Sequence, residues 1–98
     1  MLDIIKKDQL IIKLSERLDA TNSEKVAELI AKDLESLDRE LIIDVNDLTY
    51  ISSAGLQVVL RCAKAAKAIH KDVFLKGAKD NVLEIFRLSG FLTFLQLK

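Results

Sequence analysis

Hydrophobic and polar positions along this chain switch repeatedly between two periods. Leu2–Ile5 and Leu10–Leu14 are apolar runs of strand length, separated by a polar Lys6-Lys7-Asp8 turn. The Ile11-Ile12 centre of the second run predicts burial on both faces. The spacing then lengthens. Val26, Leu29, Ile30, Leu34 and Leu37 recur at steps of three and four, with acids and lysines between them, which predicts a helix lying on a sheet. Thr21-Asn22-Ser23-Glu24 has the form of its start, with Thr21 capping and Glu24 reaching back.

The near-continuous run Leu41–Val45 predicts a central strand covered on its faces, and residues 46–51 predict the loop that leaves it. Ser52-Ser53-Ala54-Gly55 opens a second helix that continues to about His70. Its stripe is Leu56, Val59, Leu60, Ala63, Ala66 or Lys67, and Ile69. Val73–Leu75 predicts a strand ended by Gly77. Asp80 or Asn81 is expected to cap a third helix carrying Val82, Ile85, Phe86 and Leu88, stopped by Gly90. Phe91–Leu97 predicts a last strand. The order β-β-α-β-α-β-α-β implies one α/β domain over residues 1–98, with a mostly parallel or mixed sheet and helices packed on it.

Composition narrows the function. Half of the 98 residues are hydrophobic, enough to close a core. Fifteen basic and 15 acidic side chains leave no net charge, which argues against nucleic acid or an anionic membrane as the main partner. With one cysteine, Cys62, and one histidine, His70, no internal disulfide and no thiolate metal site can form, so no metal or cofactor is expected. No apolar run reaches the length of a signal peptide or a span, so a cytoplasmic protein without membrane insertion is expected, as a monomer or weak dimer.

Chemistry in open α/β sheets gathers beyond the carboxyl ends of the strands. Two such segments stand out, Leu18–Asn22 and Asn46–Gly55. In the second, Ser52 and Ser53 stand at a helix start, where unpaired N–H groups and the helix dipole favour an anion. A phosphate there would add roughly −1.5 to −2 charges. The small Ala54 and Gly55 leave room for another protein to approach. Either serine can instead cap the helix, worth about 1 kcal/mol, and spacing alone favours that role. Catalysis by serine needs a base, and His70 lies roughly 25 Å along the same helix at about 1.5 Å per residue, so no enzyme is expected. His70 reads as a partner of the helix C-terminus and Cys62 as a small core residue. Asp44 and Asp47 read as hydrogen-bonding loop carboxylates before cation ligands.

The stretch Leu41-Ile42-Ile43-Asp44-Val45-Asn46-Asp47-Leu48-Thr49-Tyr50-Ile51-Ser52-Ser53-Ala54-Gly55-Leu56 resembles the central signature of STAS domains, named for sulfate transporters and anti-sigma factor antagonists. Leu18-Asp19-Ala20-Thr21-Asn22 is similar to the family's earlier loop. The resemblance implies a protein that, unphosphorylated, binds an anti-sigma factor that is also a serine kinase, and so releases a sigma factor. Phosphorylation at the helix start weakens that complex and a PP2C-type phosphatase restores it. By the motif the phosphoacceptor is Ser53, with Ser52 as second choice. Asp19, Thr21, Asn22, Ser52, Ser53, Ala54, Gly55 and Leu56 form the implied partner surface. Here Ser52 stands where the family usually has Asp. An alternative within the family is an unphosphorylated STAS subunit of a membrane lipid- or ion-transport complex.

Overall fold

The structure, a computed structural model, describes residues 2–98. Its elements are β1 (Leu2–Lys6), β2 (Leu10–Leu18), α1 (Ser23–Glu35), β3 (Leu41–Ile51), α2 (Ser53–Ala68), β4 (Val73–Lys76), α3 (Asp80–Leu88), a 3-10 turn (Phe91–Thr93) and β5 (Gln96–Leu97). The five strands form one sheet in chain order. β1 runs antiparallel to β2, and every later pair is parallel. A short turn suffices for the first pair, whereas each parallel pair needs a helical crossover. The expected order and mixed sheet are both present.

β2 differs from expectation in two ways. It alternates, with Leu10, Ile12 and Leu14 buried and Ile11 and Lys13 half-buried, so one face meets the helices and the other does not. It also runs on to Leu18, past Glu16, whose φ of 65° marks a bulge. Residues 46–51, expected as a loop, are the second half of β3. They pair with the extended β2 across two register shifts, one between Lys13 and Ser15 and one between Glu16 and Arg17. A bulge changes the phase of the side-chain alternation, so Leu48 and Ile51 both point inward although they are three residues apart.

One core fills the helix side of the sheet, joining Leu10, Ile12, Leu14, Leu41, Ile43, Val45, Val73 and Leu75 to residues of all three helices. The α1 stripe is rotated from its expected position. Leu29 is 50% exposed, while the small Ser23 and Ala27 are buried with Val26 and Ile30. α2 likewise buries Gly55, Val58, Val59, Cys62, Ala63 and Ala66; Leu56 and Leu60 are half-buried and Ile69 is exposed. Small residues where two helices meet let their backbones approach, and the larger apolar side chains fill the flanks.

Three expected boundaries are corrected. No capping box forms at α1: Asn22 precedes the helix without a side-chain cap, and the Thr21 hydroxyl turns to Asp19. Neither Asp80 nor Asn81 caps α3. Lys79 precedes that helix, and the Asn81 amide donates to the Thr49 carbonyl at 3.3 Å, tying α3 to β3. The expected last strand shrinks to Gln96–Leu97, because Phe91 and Phe94 fold back through the 3-10 turn and stack in series with Phe86 at 6.1 and 5.1 Å. Gly90 ends α3 as expected, in the left-handed conformation at φ 81°.

Candidate functional site

The parallel pairing of β2 and β3 ends at Leu18 and Ile51, and one further bond, from the Ser52 N–H to the Leu18 carbonyl at 2.9 Å, carries the two chains onward side by side. The loop after β2 and the start of α2 therefore share one edge of the molecule, as both sequence segments require.

Each side of this edge is built by local hydrogen bonds. Asp19 Oδ1 accepts from both the N–H (2.9 Å) and the hydroxyl of Thr21. Asn22 Oδ1 accepts from the Asp19 N–H at 2.9 Å and its amide donates to the Arg17 carbonyl at 2.8 Å. Asn22 is thus a staple of the loop. The Thr21 bonds hold the Asp19 carboxyl below its ordinary value, with the Arg17 guanidinium at 3.3 Å adding to the effect. Arg17 in turn lies 4.4 Å over the Tyr50 ring.

The two serines differ. Ser52 is half-buried and extended at φ −95°, ψ 176°, and its Oγ accepts from the Gly55 N–H at 3.3 Å as the α2 cap. Ser53 is exposed, and its hydroxyl bonds to no described residue. One serine holds the helix; its neighbour presents a free oxygen.

Gly55 departs from expectation. It is buried, and a Cβ there would lie 2.6 Å from the Leu18 carbonyl and 2.8 Å from the Ile51 side chain. Its smallness lets α2 seat against the strand ends, so the glycine positions the surface without forming part of it. Leu56 and Ala54 are half-buried. Ala54 belongs to a shallow groove of about 240 Å³, with Gln57 and Arg61 one and two turns along α2 and Ser23, Glu24 and Ala27 on α1 opposite. The sequence reading missed these groove residues. Positions 54, 57 and 61 share a helical face, but no pattern in the sequence pairs that face with α1.

The remaining candidates lie elsewhere. Cys62 is buried in the core, and burial pushes its thiol up to about 12, far from a reactive thiolate. His70 is exposed beyond the far end of α2, at φ 58°. Asp44 accepts from the Asn46 N–H at 3.0 Å, and Asp47 pairs with Lys13 at 3.7 Å. A larger hollow of about 340 Å³ lies between β3 and α3, but the Asp47, Lys79 and Asp80 around it are mixed in sign and open to solvent. No described helix is long and apolar enough to cross a membrane.

The model of the STAS domain family matches residues 2–98. The chain is 36% identical over 84 residues to BtrV of Bordetella bronchiseptica, named as a candidate anti-sigma factor antagonist; the match covers 86% of this chain and 72% of BtrV. This chain belongs to the STAS domain family. Solved structures share its fold at low identity. An anti-sigma-factor antagonist domain protein of Planctomyces limnophilus matches with a TM-score of 0.88 at 14% identity, over 99% of this chain and 87% of that one. The Bacillus protein SpoIIAA in its phosphorylated form gives 0.74 at 18%, over 100% and 89%. In this STAS domain the signature run spans β3, the Ser52 cap and the first turn of α2.

Proposed function

We propose that this STAS domain is an anti-sigma factor antagonist switched off by phosphorylation at Ser53. The unmodified surface around Asp19, Thr21, Ser53 and Ala54 docks on an anti-sigma factor that is also a serine kinase, and so frees a sigma factor. The kinase moves the γ-phosphoryl group of ATP to the Ser53 oxygen, whose proton leaves to the kinase's base. ADP leaves, and a PP2C-type phosphatase later restores the hydroxyl by hydrolysis, with water taking up the phosphoryl group as inorganic phosphate. This chain carries no catalysis; it is the substrate and the ligand.

The observation that carries this reading is the division of labour between the serines: Ser52 is engaged as the cap, whereas Ser53 is exposed and unbonded. The name of BtrV supports it, as does the solution of SpoIIAA in both unphosphorylated and phosphorylated forms. The electrostatics agree. A dianion at the centre of a small-residue contact must be desolvated on docking, and losing 2–3 kcal/mol weakens binding roughly 30- to 150-fold.

The test is intact mass after incubation with ATP and an anti-sigma factor kinase. The parent should gain one phosphate, Ser52→Ala should still gain it, and Ser53→Ala should not. Equal modification of Ser53→Ala would overturn the assignment. Co-purification with a transporter ATPase in place of a kinase would favour a transport-complex subunit.

A further inference from the structure

The sheet face away from the helices has a pattern of its own. Strand register sets Ile5, Ile11, Ile42 and Phe74 side by side from β1 to β4, and Asp3, Lys13, Asp44 and Lys76 in the next row. None of the four apolar residues joins the core cluster. Ile5 is 38% exposed, Ile11 and Phe74 are half-buried, and Ile42 sits between them at 5%.

Read from β1 to β4, the charged row is minus, plus, minus, plus. Consider a second copy laid face to face about a two-fold axis parallel to the strands, passing between β2 and β3. The operation exchanges β1 with β4 and β2 with β3. Asp3 then meets Lys76 of the other copy, Lys13 meets Asp44, Ile11 meets Ile42, and Ile5 meets Phe74 beside the Lys98 ammonium that lies 4.7 Å over its ring. Moving the axis onto β2 would instead set Lys13 against Lys13 and Asp3 against Asp44. The charges therefore exclude an axis lying on a strand, and among the axes between strands this one overlaps all four charged strands.

We infer that this face joins two copies of the chain in a symmetric sheet-on-sheet dimer. With strands about 4.8 Å apart, two rows across four strands cover about 250 Å² per copy, against about 800 Å² per partner in a standard interface. The dimer is weak and forms at high protein concentration. α2 packs on the opposite side of the sheet, so Ser53 stays open in both copies, and the inference stands apart from the phosphoswitch.

Sedimentation equilibrium at low salt, from micromolar to millimolar protein, tests it with Asp3→Lys and Lys76→Asp. These residues lie on β1 and β4, which do not adjoin, so neither change can compensate the other within one chain. Each variant alone replaces two opposite-charge contacts by like-charge ones and should weaken the dimer at least about tenfold. In an equimolar mixture the introduced lysine of one variant faces the introduced aspartate of the other, and the native Lys76 faces the native Asp3. The mixture should therefore restore parental association. A parent that stays monomeric, single variants that dimerise like the parent, or a mixture no tighter than its components would each overturn the inference. Circular dichroism checks the fold of both. Should either unfold, Ile5→Lys takes its place: dimer loss supports the interface and unchanged dimerisation refutes it.

Discussion

At the scale of single residues, the site turns on two adjacent serines with different tasks. Ser52 occupies a cap position, where Asp and Ser are nearly interchangeable because each offers an oxygen to the free N–H groups of the first turn. That explains how serine can stand where the family usually carries aspartate. Ser52→Ala should lower unfolding stability by about 1 kcal/mol, whereas Ser52→Asp should stay within about 0.5 kcal/mol of the parent. Ser53→Ala, which removes an exposed, unbonded hydroxyl, should also stay within that range. Urea unfolding followed by circular dichroism reads all three. If Ser53→Ala proved the more damaging of the two alanine variants, the assignment of the cap would be wrong. The paired hydroxyls and the following small residues were legible in the sequence. The role of Gly55 was not. A glycine in a first turn looks the same whether it opens a surface or admits a strand end, and the approach of the Leu18 carbonyl is a tertiary fact.

At the scale of elements, periodicity located every helix and strand but misjudged where the strands end. β3 was legible as far as Val45 because its apolar run is interrupted only by Asp44. Beyond it, Asn46 and Asp47 are both exposed, and the change of phase at the bulge hides the pairing with β2. α1 and α2 were legible as helices, and Val59, Ala63 and Ala66 were placed on the buried face, but Leu29, Leu56, Leu60 and Ile69 were favoured as large side chains where Ala27, Gly55, Val58 and Cys62 are the buried ones. The loop between β2 and α1 is held by side-chain bonds that no period encodes. Those bonds lower the Asp19 carboxyl from 3.8, so its ionised form is favoured more in the folded chain than in the unfolded one. Its stabilising contribution is therefore full above the ordinary carboxylate range and disappears as pH falls through the lower, folded-state value. Asp19→Asn keeps an acceptor for Thr21 but cannot ionise. The melting temperature of the parent should exceed that of Asp19→Asn at pH 7, and the gap should narrow below pH 3.8. A gap that widened on acidification would contradict the bonding described for this loop.

At the scale of the whole molecule, the fold separates what must be stable from what must change. The core fills one side of the sheet, whereas Asp19 and Ser53 stand at the edge where β2 and β3 end. A charge gained at Ser53 enters no core contact, and it sits at the positive end of the α2 dipole, where an anion stabilises a helix by about 0.3–1 kcal/mol. Ser53→Asp should therefore leave the far-UV circular dichroism spectrum unchanged and shift unfolding stability by less than about 1 kcal/mol, in the favourable direction. The same substitution should weaken docking on the anti-sigma factor, though by less than the roughly 30- to 150-fold proposed for phosphate, because one carboxylate carries less charge than a phosphate. Thermal unfolding and titration calorimetry on one preparation read both quantities. Lost affinity with an intact melting transition is the outcome that a switch at the sheet edge requires. Lost affinity together with a lowered transition would mean that Ser53 is part of the scaffold, and that the charge works by loosening the fold.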